Sequence, residues 1–180
     1  MAVLKDFLQG KWLGHPLHPA VVHVPTALWP AALLFDLLSQ LGDGNNALVR
    51  TSYFTILLGL LAALLAAASG LADFAEIKPG RPARRLGYYH MALSLAVTAL
   101  FAVNLFLRDD DARQAASVSG TRLALSAAGV VLLLISGYLG GKMVYDHGAG
   151  VVRLGNSKRK WRRLAEAGGA NLPPQAEKEA

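Results

Sequence analysis

The sequence contains no cysteine among its 180 residues. Disulfides, thiolate-bound iron–sulfur clusters, a covalently attached c-type haem and cysteine nucleophiles are therefore excluded, and a redox centre would need other ligands. Charged residues are also scarce, at 17% of the chain, whereas 53% of the residues are hydrophobic. Because the apolar residues are gathered into long blocks, the composition argues against a soluble enzyme.

Four apolar blocks are each long enough to cross a bilayer, since a hydrocarbon core of about 30 Å needs ~20 residues of helix. These blocks cover residues 20–41, 53–73, 88–107 and 123–145. We therefore predict an all-α, integral-membrane four-helix bundle at residues 20–147. A lead-in rich in histidine and proline precedes it at residues 1–19, where the prolines of HPLHP favour an extended chain. A basic, partly disordered tail follows at residues 148–180.

Lysine and arginine are shared unevenly between the two sides of this bundle. With four spans, both termini and the central loop lie on one side, and the opposite side carries only Arg50, Arg108, Arg113 and Arg122. Because cytoplasmic flanks of membrane helices are enriched in basic residues, we predict that both termini are cytoplasmic. This topology explains the net charge of +6 without a nucleic-acid partner. The tail segment SKRKWRRL either anchors the topology or additionally binds anionic lipid of the bilayer.

All five histidines fall near one edge of the predicted bundle. They are His15, His18 and His23 around the start of the first span, His90 early in the third span, and His147 at the end of the fourth. The second span brings Asp73 to the same edge. Ionisable groups in or beside membrane spans are costly, which makes these residues candidates for a ligand site. The alternative is that they are interfacial residues that contact headgroups and water.

The first functional interpretation is a haem b protein that takes part in electron transfer, with His90 as one axial ligand and His23 or His147 as the other. A shift of the chain by 67 positions places His23 on His90, and Ser69 on Ser136. This match suggests a duplicated helical hairpin, in which His23 and His90 would face a common axis.

Two other interpretations stay open. A Zn, Fe, Cu or Ni ion could be bound or transported, and its candidate ligands are His15, His18, His23, His90, His147 and Asp73. Alternatively, the protein is a non-catalytic membrane subunit or scaffold of a redox complex.

Helical periodicity predicts two further features. One stripe of the third span contains His90, Ser94, Val97, Phe101, Asn104 and Arg108, and a stripe of the fourth contains Gly129, Ser136, Gly140, Met143 and His147. The small residues of the second stripe favour either close helix packing or room for a flat macrocycle. Asp36 lies about 20 Å beyond His23 and reaches the depth of the third span's far end. We therefore predict a structural polar cluster of Asp36, Asn104 and Arg108.

The segments GHPLHPAVVHVPTALWPAALLFDLL, SGLAD and LGGKMVYDHGAGV, together with the His90 helix, carry a family resemblance. From Gly14 to Val152 the chain resembles the bacterial integral-membrane family catalogued as domain of unknown function 2231. The resemblance implies the bacterial inner membrane and a fold similar to membrane four-helix b-type cytochromes. It also implies a redox partner protein, because similar segments occur fused or adjacent to Rieske-type domains. It assigns no role to single residues, and this chain has Val24 where the family pattern usually has phenylalanine.

Overall fold

The computed structural model describes residues 2–41, 46–108 and 113–150. A short helix α1 (Ala2–Leu8) and a 3-10 turn (Lys11–Leu13) precede four long helices. These are α2 (Leu17–Leu38), α3 (Asn46–Phe74), α4 (Pro82–Phe106) and α5 (Gly120–Tyr145). Each long helix has the length and hydropathy needed to cross a membrane. The predicted all-α four-helix membrane bundle is confirmed, and no strand occurs in these described ranges.

The helices begin earlier than the apolar blocks of the sequence. α2 already starts at Leu17, so His18 and Pro19 are helical and do not belong to an extended lead-in. Proline is compatible with a first helical turn because the N–H groups there have no partner within the helix. Of the predicted tail at residues 148–180, everything after residue 150, including the basic segment, lies outside the described residues.

The four helices form two hairpins that pack against each other. α2 packs against α3 and α4 against α5, while α2 also contacts α5 and α3 contacts α4. The core contains Trp29, Ile56, Val97 and Phe101. Outward leucines such as Leu58 remain more than half exposed. A helix bundle with exposed leucines is suited to a bilayer, where lipid covers the apolar exterior.

The centre of the bundle is built from aromatic rings that pack on glycines. The rings of Trp29 and Phe101 stack with centroids 4.5 Å apart and planes inclined by 12°. A Cβ atom at Gly59 would lie 2.4 Å from Trp29 Nε1, and one at Gly129 would lie 2.6 Å from Phe101 Cε2. Only glycine allows such close approach of a helix backbone to a ring.

The two hairpins make equivalent contacts. Three residue pairs with a spacing of 72 positions connect α2 with α4 and the residues directly after it: His18 with His90, Trp29 with Phe101, and Asp36 with Arg108. Their neighbours on α3 and α5 are spaced by 70 positions: Gly59 and Gly129, Ala66 and Ser136, Gly70 and Gly140. This repetition is typical of a duplicated hairpin whose axis runs between α2 and α4.

The 67-residue offset inferred from the sequence does not describe these equivalent contacts. Equivalent residues are 72 positions apart in the first helices of the two hairpins but 70 positions apart in the second helices. No constant offset therefore aligns both helices of the hairpins. In a chain rich in leucine and alanine, an incorrect offset also produces many identical pairs.

Candidate functional site

Two imidazoles face each other across the axis near one end of the bundle. His18 Nδ1 lies 2.8 Å from the carbonyl oxygen of Ala66, and His90 Nδ1 lies 2.8 Å from that of Ser136. A carbonyl oxygen only accepts, so each Nδ1 donates its proton. A neutral ring then keeps the lone pair on Nε2, which is the arrangement found in most metal-ligating histidines.

The spacing of the two rings is compatible with a shared ligand. Their centroids are 6.4 Å apart and their planes are inclined by 84°. When two imidazoles bind the same metal ion, each with a nitrogen-to-metal distance of about 2.1 Å, their ring centres are on the order of 6 Å apart. The rings of His18 and His90 are both partly buried. The two rings thus offer a pair of potential nitrogen ligands within the bundle rather than on its surface.

Small residues make room for these rings. A Cβ atom at Gly70 would lie 2.8 Å from the His18 ring, and one at Gly140 would lie 3.2 Å from the His90 ring. The small-residue stripe of α5 therefore receives the side chains of His90 and Phe101, which corresponds to the close-packing interpretation of that stripe.

Asp73 is the acidic residue nearest to this pair along α3. It is half-buried and lies three residues, about one helical turn, beyond Gly70, whose Cβ position is in contact with the His18 ring. In the described part of the chain, no group of three or more histidine, cysteine, aspartate or glutamate side chains converges on one point. The site that the structure brings together therefore consists of the two imidazoles, with the Asp73 carboxylate outside the pair.

The other three histidines lie apart from this pair. His15 is exposed, and its Nδ1 contacts the carbonyl oxygen of Pro16 at 3.0 Å. His23 is exposed on α2, and its Nδ1 contacts the carbonyl oxygen of Pro19 in the same helix. His147 follows the end of α5 and is half-buried. The structure thus brings His18, and not His23 or His147, to His90.

The opposite end of the bundle holds a buried ion pair. Arg108 donates from Nη1 to Asp36 Oδ1 at 3.0 Å and from Nη2 to Asp36 Oδ2 at 2.6 Å. Arg108 Nε donates to Asn104 Oδ1 at 3.1 Å, so the three residues of the predicted polar cluster do meet. Ser52 accepts from Arg108 at 3.1 Å, and Ser126 donates to Asp36 at 2.8 Å. Such pairing is what charges inside a bilayer require.

The sequence contained an unused signal for His18. The stripe from Arg108 back to His90 has a counterpart in α2 that starts at Asp36 and passes through Ala32, Trp29, Pro25 and Val22 to His18. Four of these six α2 residues are buried: Pro25, Trp29, Ala32 and Asp36. His23 lies five residues after His18, about 140° further around the helix, and so faces away from the axis.

The comparisons with known proteins agree with the architecture. Residues 14–153 match the family described as "Predicted membrane protein (DUF2231)". No curated protein and no solved structure matches the chain. The family resemblance noted in the sequence is thereby confirmed over nearly all of the described residues. This chain therefore belongs to the DUF2231 family of predicted membrane proteins.

Proposed function

We propose that this protein binds haem b in the bacterial inner membrane, held by His18 and His90, and takes part in electron transfer. The observation that carries the proposal is the pair of imidazoles at 6.4 Å, each with its Nδ1 bonded to a backbone carbonyl. The two imidazoles would be the protein's ligands to the haem iron, since histidine is an ordinary haem ligand. When bound, the haem would supply one-electron chemistry.

The chain's own residues would orient these ligands. The carbonyl oxygens of Ala66 and Ser136 hold both rings in the tautomer that presents Nε2. The Ser136 hydroxyl, 3.1 Å from His90 Nδ1, adds a second polar contact to the same ring. The uneven distribution of lysine and arginine supports cytoplasmic termini, which would place the histidine pair in the cytoplasmic half of the bilayer.

Absorption spectroscopy tests the proposal. The detergent-purified protein, produced with ample haem supply, is expected to show a reduced α-band after dithionite addition. His18→Ala and His90→Ala should each abolish or shift that band. His23→Ala is the matched control, because His23 lies on the same helix as His18 but is exposed, and it should leave the spectrum unchanged. A featureless spectrum in the parent protein would refute haem binding.

A second candidate function is a divalent-metal site, which the position of Asp73, one helical turn beyond the glycine that contacts the His18 ring, favours. Zinc, iron, copper and nickel all accept imidazole nitrogen. In that case the absorption spectrum would lack a haem band, and elemental analysis of the same sample would show one metal ion per chain. Asp73→Asn would lower the number of metal ions bound per chain. A sample with neither haem nor metal would favour the scaffold interpretation.

A further inference from the structure

The segment from Val3 to Leu13, here the N-terminal segment, presents an uncovered apolar face. It comprises most of α1 and the 3-10 turn. The side chains of this face are each more than half exposed: Val3, Leu4, Phe7, Trp12 and Leu13. Phe7 and Trp12 stack with centroids 5.5 Å apart and planes inclined by 5°.

The other face of the N-terminal segment is attached to the end of α3. Lys5 Nζ lies 3.1 Å from Glu76 Oε1, and Gln9 Nε2 donates to the Ala72 carbonyl oxygen at 3.2 Å. At Gly10 the backbone has φ of +71°, and a Cβ there would lie 2.2 Å from the carbonyl oxygen of His15. The close turn at Gly10 therefore directs the segment back along the end of the bundle.

The charged side chains of the segment are paired. Lys5 pairs with Glu76 and Lys11 with Asp6. Trp12 Nε1 donates to the Phe7 carbonyl oxygen at 3.2 Å, so the indole has its polar group satisfied. Because the charges of the segment are balanced and the indole N–H of Trp12 is already hydrogen-bonded, we expect the exposed face to make an apolar contact rather than an electrostatic one.

The location of the apolar face indicates what covers it. It lies at the edge of the bundle where α2 begins and α3 ends. Exposed tyrosines surround the same edge: Tyr88, Tyr89, Tyr138 and Tyr145. Tyrosine and tryptophan are enriched at the level of the lipid headgroups, where an amphipathic ring is stable. The apolar face and these exposed tyrosines thus lie towards the same end of the bundle.

We infer that the N-terminal segment is an interfacial anchor that inserts Phe7, Trp12 and their apolar neighbours between the headgroups of the same bilayer. Its partner is a lipid surface, bound through apolar burial rather than through anionic headgroups. This role is independent of haem or metal binding.

Depth-dependent fluorescence quenching tests this inference on the full chain in lipid nanodiscs. A Trp161→Phe background leaves Trp12 and Trp29, and subtraction of the emission of the same chain with Trp12→Phe isolates Trp12. We expect phosphatidylcholine brominated near the glycerol backbone to quench Trp12 more strongly than lipid brominated near the chain ends. Aqueous iodide should quench it weakly, and high salt should change neither result.

Strong iodide quenching without lipid quenching would overturn the inference, because Trp12 would then face water. Protection from both quenchers would also overturn it, since a second copy or another protein would then cover the face. As a second variant, Phe7→Asp should increase iodide access to Trp12. The absorption spectrum of the purified protein should not change, which distinguishes failure of the anchor from failure of the haem proposal.

Discussion

The rings of Trp29 and Phe101 stack 4.5 Å apart at equivalent positions of the two hairpins. Each ring also covers a glycine of the neighbouring helix, Gly59 for Trp29 and Gly129 for Phe101. The stack joins α2 to α4 between the histidine pair and the ion pair. The stability of the bundle should therefore depend on the absence of side chains at these two glycines.

Gly59→Ala is expected to destabilise the protein by about 1–3 kcal/mol, because its Cβ would overpack the rigid indole of Trp29. Gly137→Ala is the matched control: nothing lies within 4 Å of a Cβ at that exposed helical position. Alanine there should be neutral or stabilising by up to about 1 kcal/mol. Thermal unfolding in detergent, followed by circular dichroism, measures both. Equal melting temperatures for the two variants would contradict the packing described for Trp29.

Asp36→Asn should be among the most destabilising single substitutions, at about 3–5 kcal/mol, because it leaves the Arg108 charge buried without its counter-ion. Replacement of both Asp36 and Arg108 by leucine should cost less than the sum of the two single replacements. A double-mutant cycle of unfolding free energies measures this coupling. Strict additivity of the two effects would show that the contact contributes no energy.

Acidification should loosen the attachment of the N-terminal segment. The hydrogen bond from Lys5 lowers the pKa of Glu76 below its ordinary value of 4.5. The pair's contribution is therefore complete above that value and is lost as the pH falls through the lowered pKa. Protection of the segment's amides from hydrogen exchange, measured relative to their intrinsic rates at each pH, should thus fall between neutral pH and about pH 3. With Glu76→Gln this extra pH response should disappear, and its persistence would identify another group as the cause.

Reporter fusions test the predicted topology. A fluorescent protein that matures only in the cytoplasm should be bright at either terminus and in the loop between α3 and α4. Alkaline phosphatase, which needs the periplasm, should be active only in the loops between α2 and α3 and between α4 and α5. The inverse pattern would reverse the orientation and leave the fold unchanged.

The sequence predicted the fold well because span length and helical periodicity depend on local composition. Depth along a helix also brought Asp36, Asn104 and Arg108 to one level, and the structure shows them in contact. Ser52 and Ser126 were not predicted, because a small hydroxyl gives no distinctive pattern among apolar neighbours. His18 was named as a metal-ligand candidate, but its contact with His90 was not singled out, because an offset that matched residue identity was preferred to the helical face that ends at His18.

The ion pair has a consequence for how the halves can assemble. Two identical hairpins around a true twofold axis would bring each residue at the α2–α4 contact against its own copy. At the level of Asp36 and Arg108, such an assembly would bury two aspartates or two arginines together. Only when the first hairpin packs against the second do opposite charges meet at this level, where the closest atoms of Asp36 and Arg108 are 2.6 Å apart. If the two hairpins were produced as separate chains, each should reject its own copy and select the other.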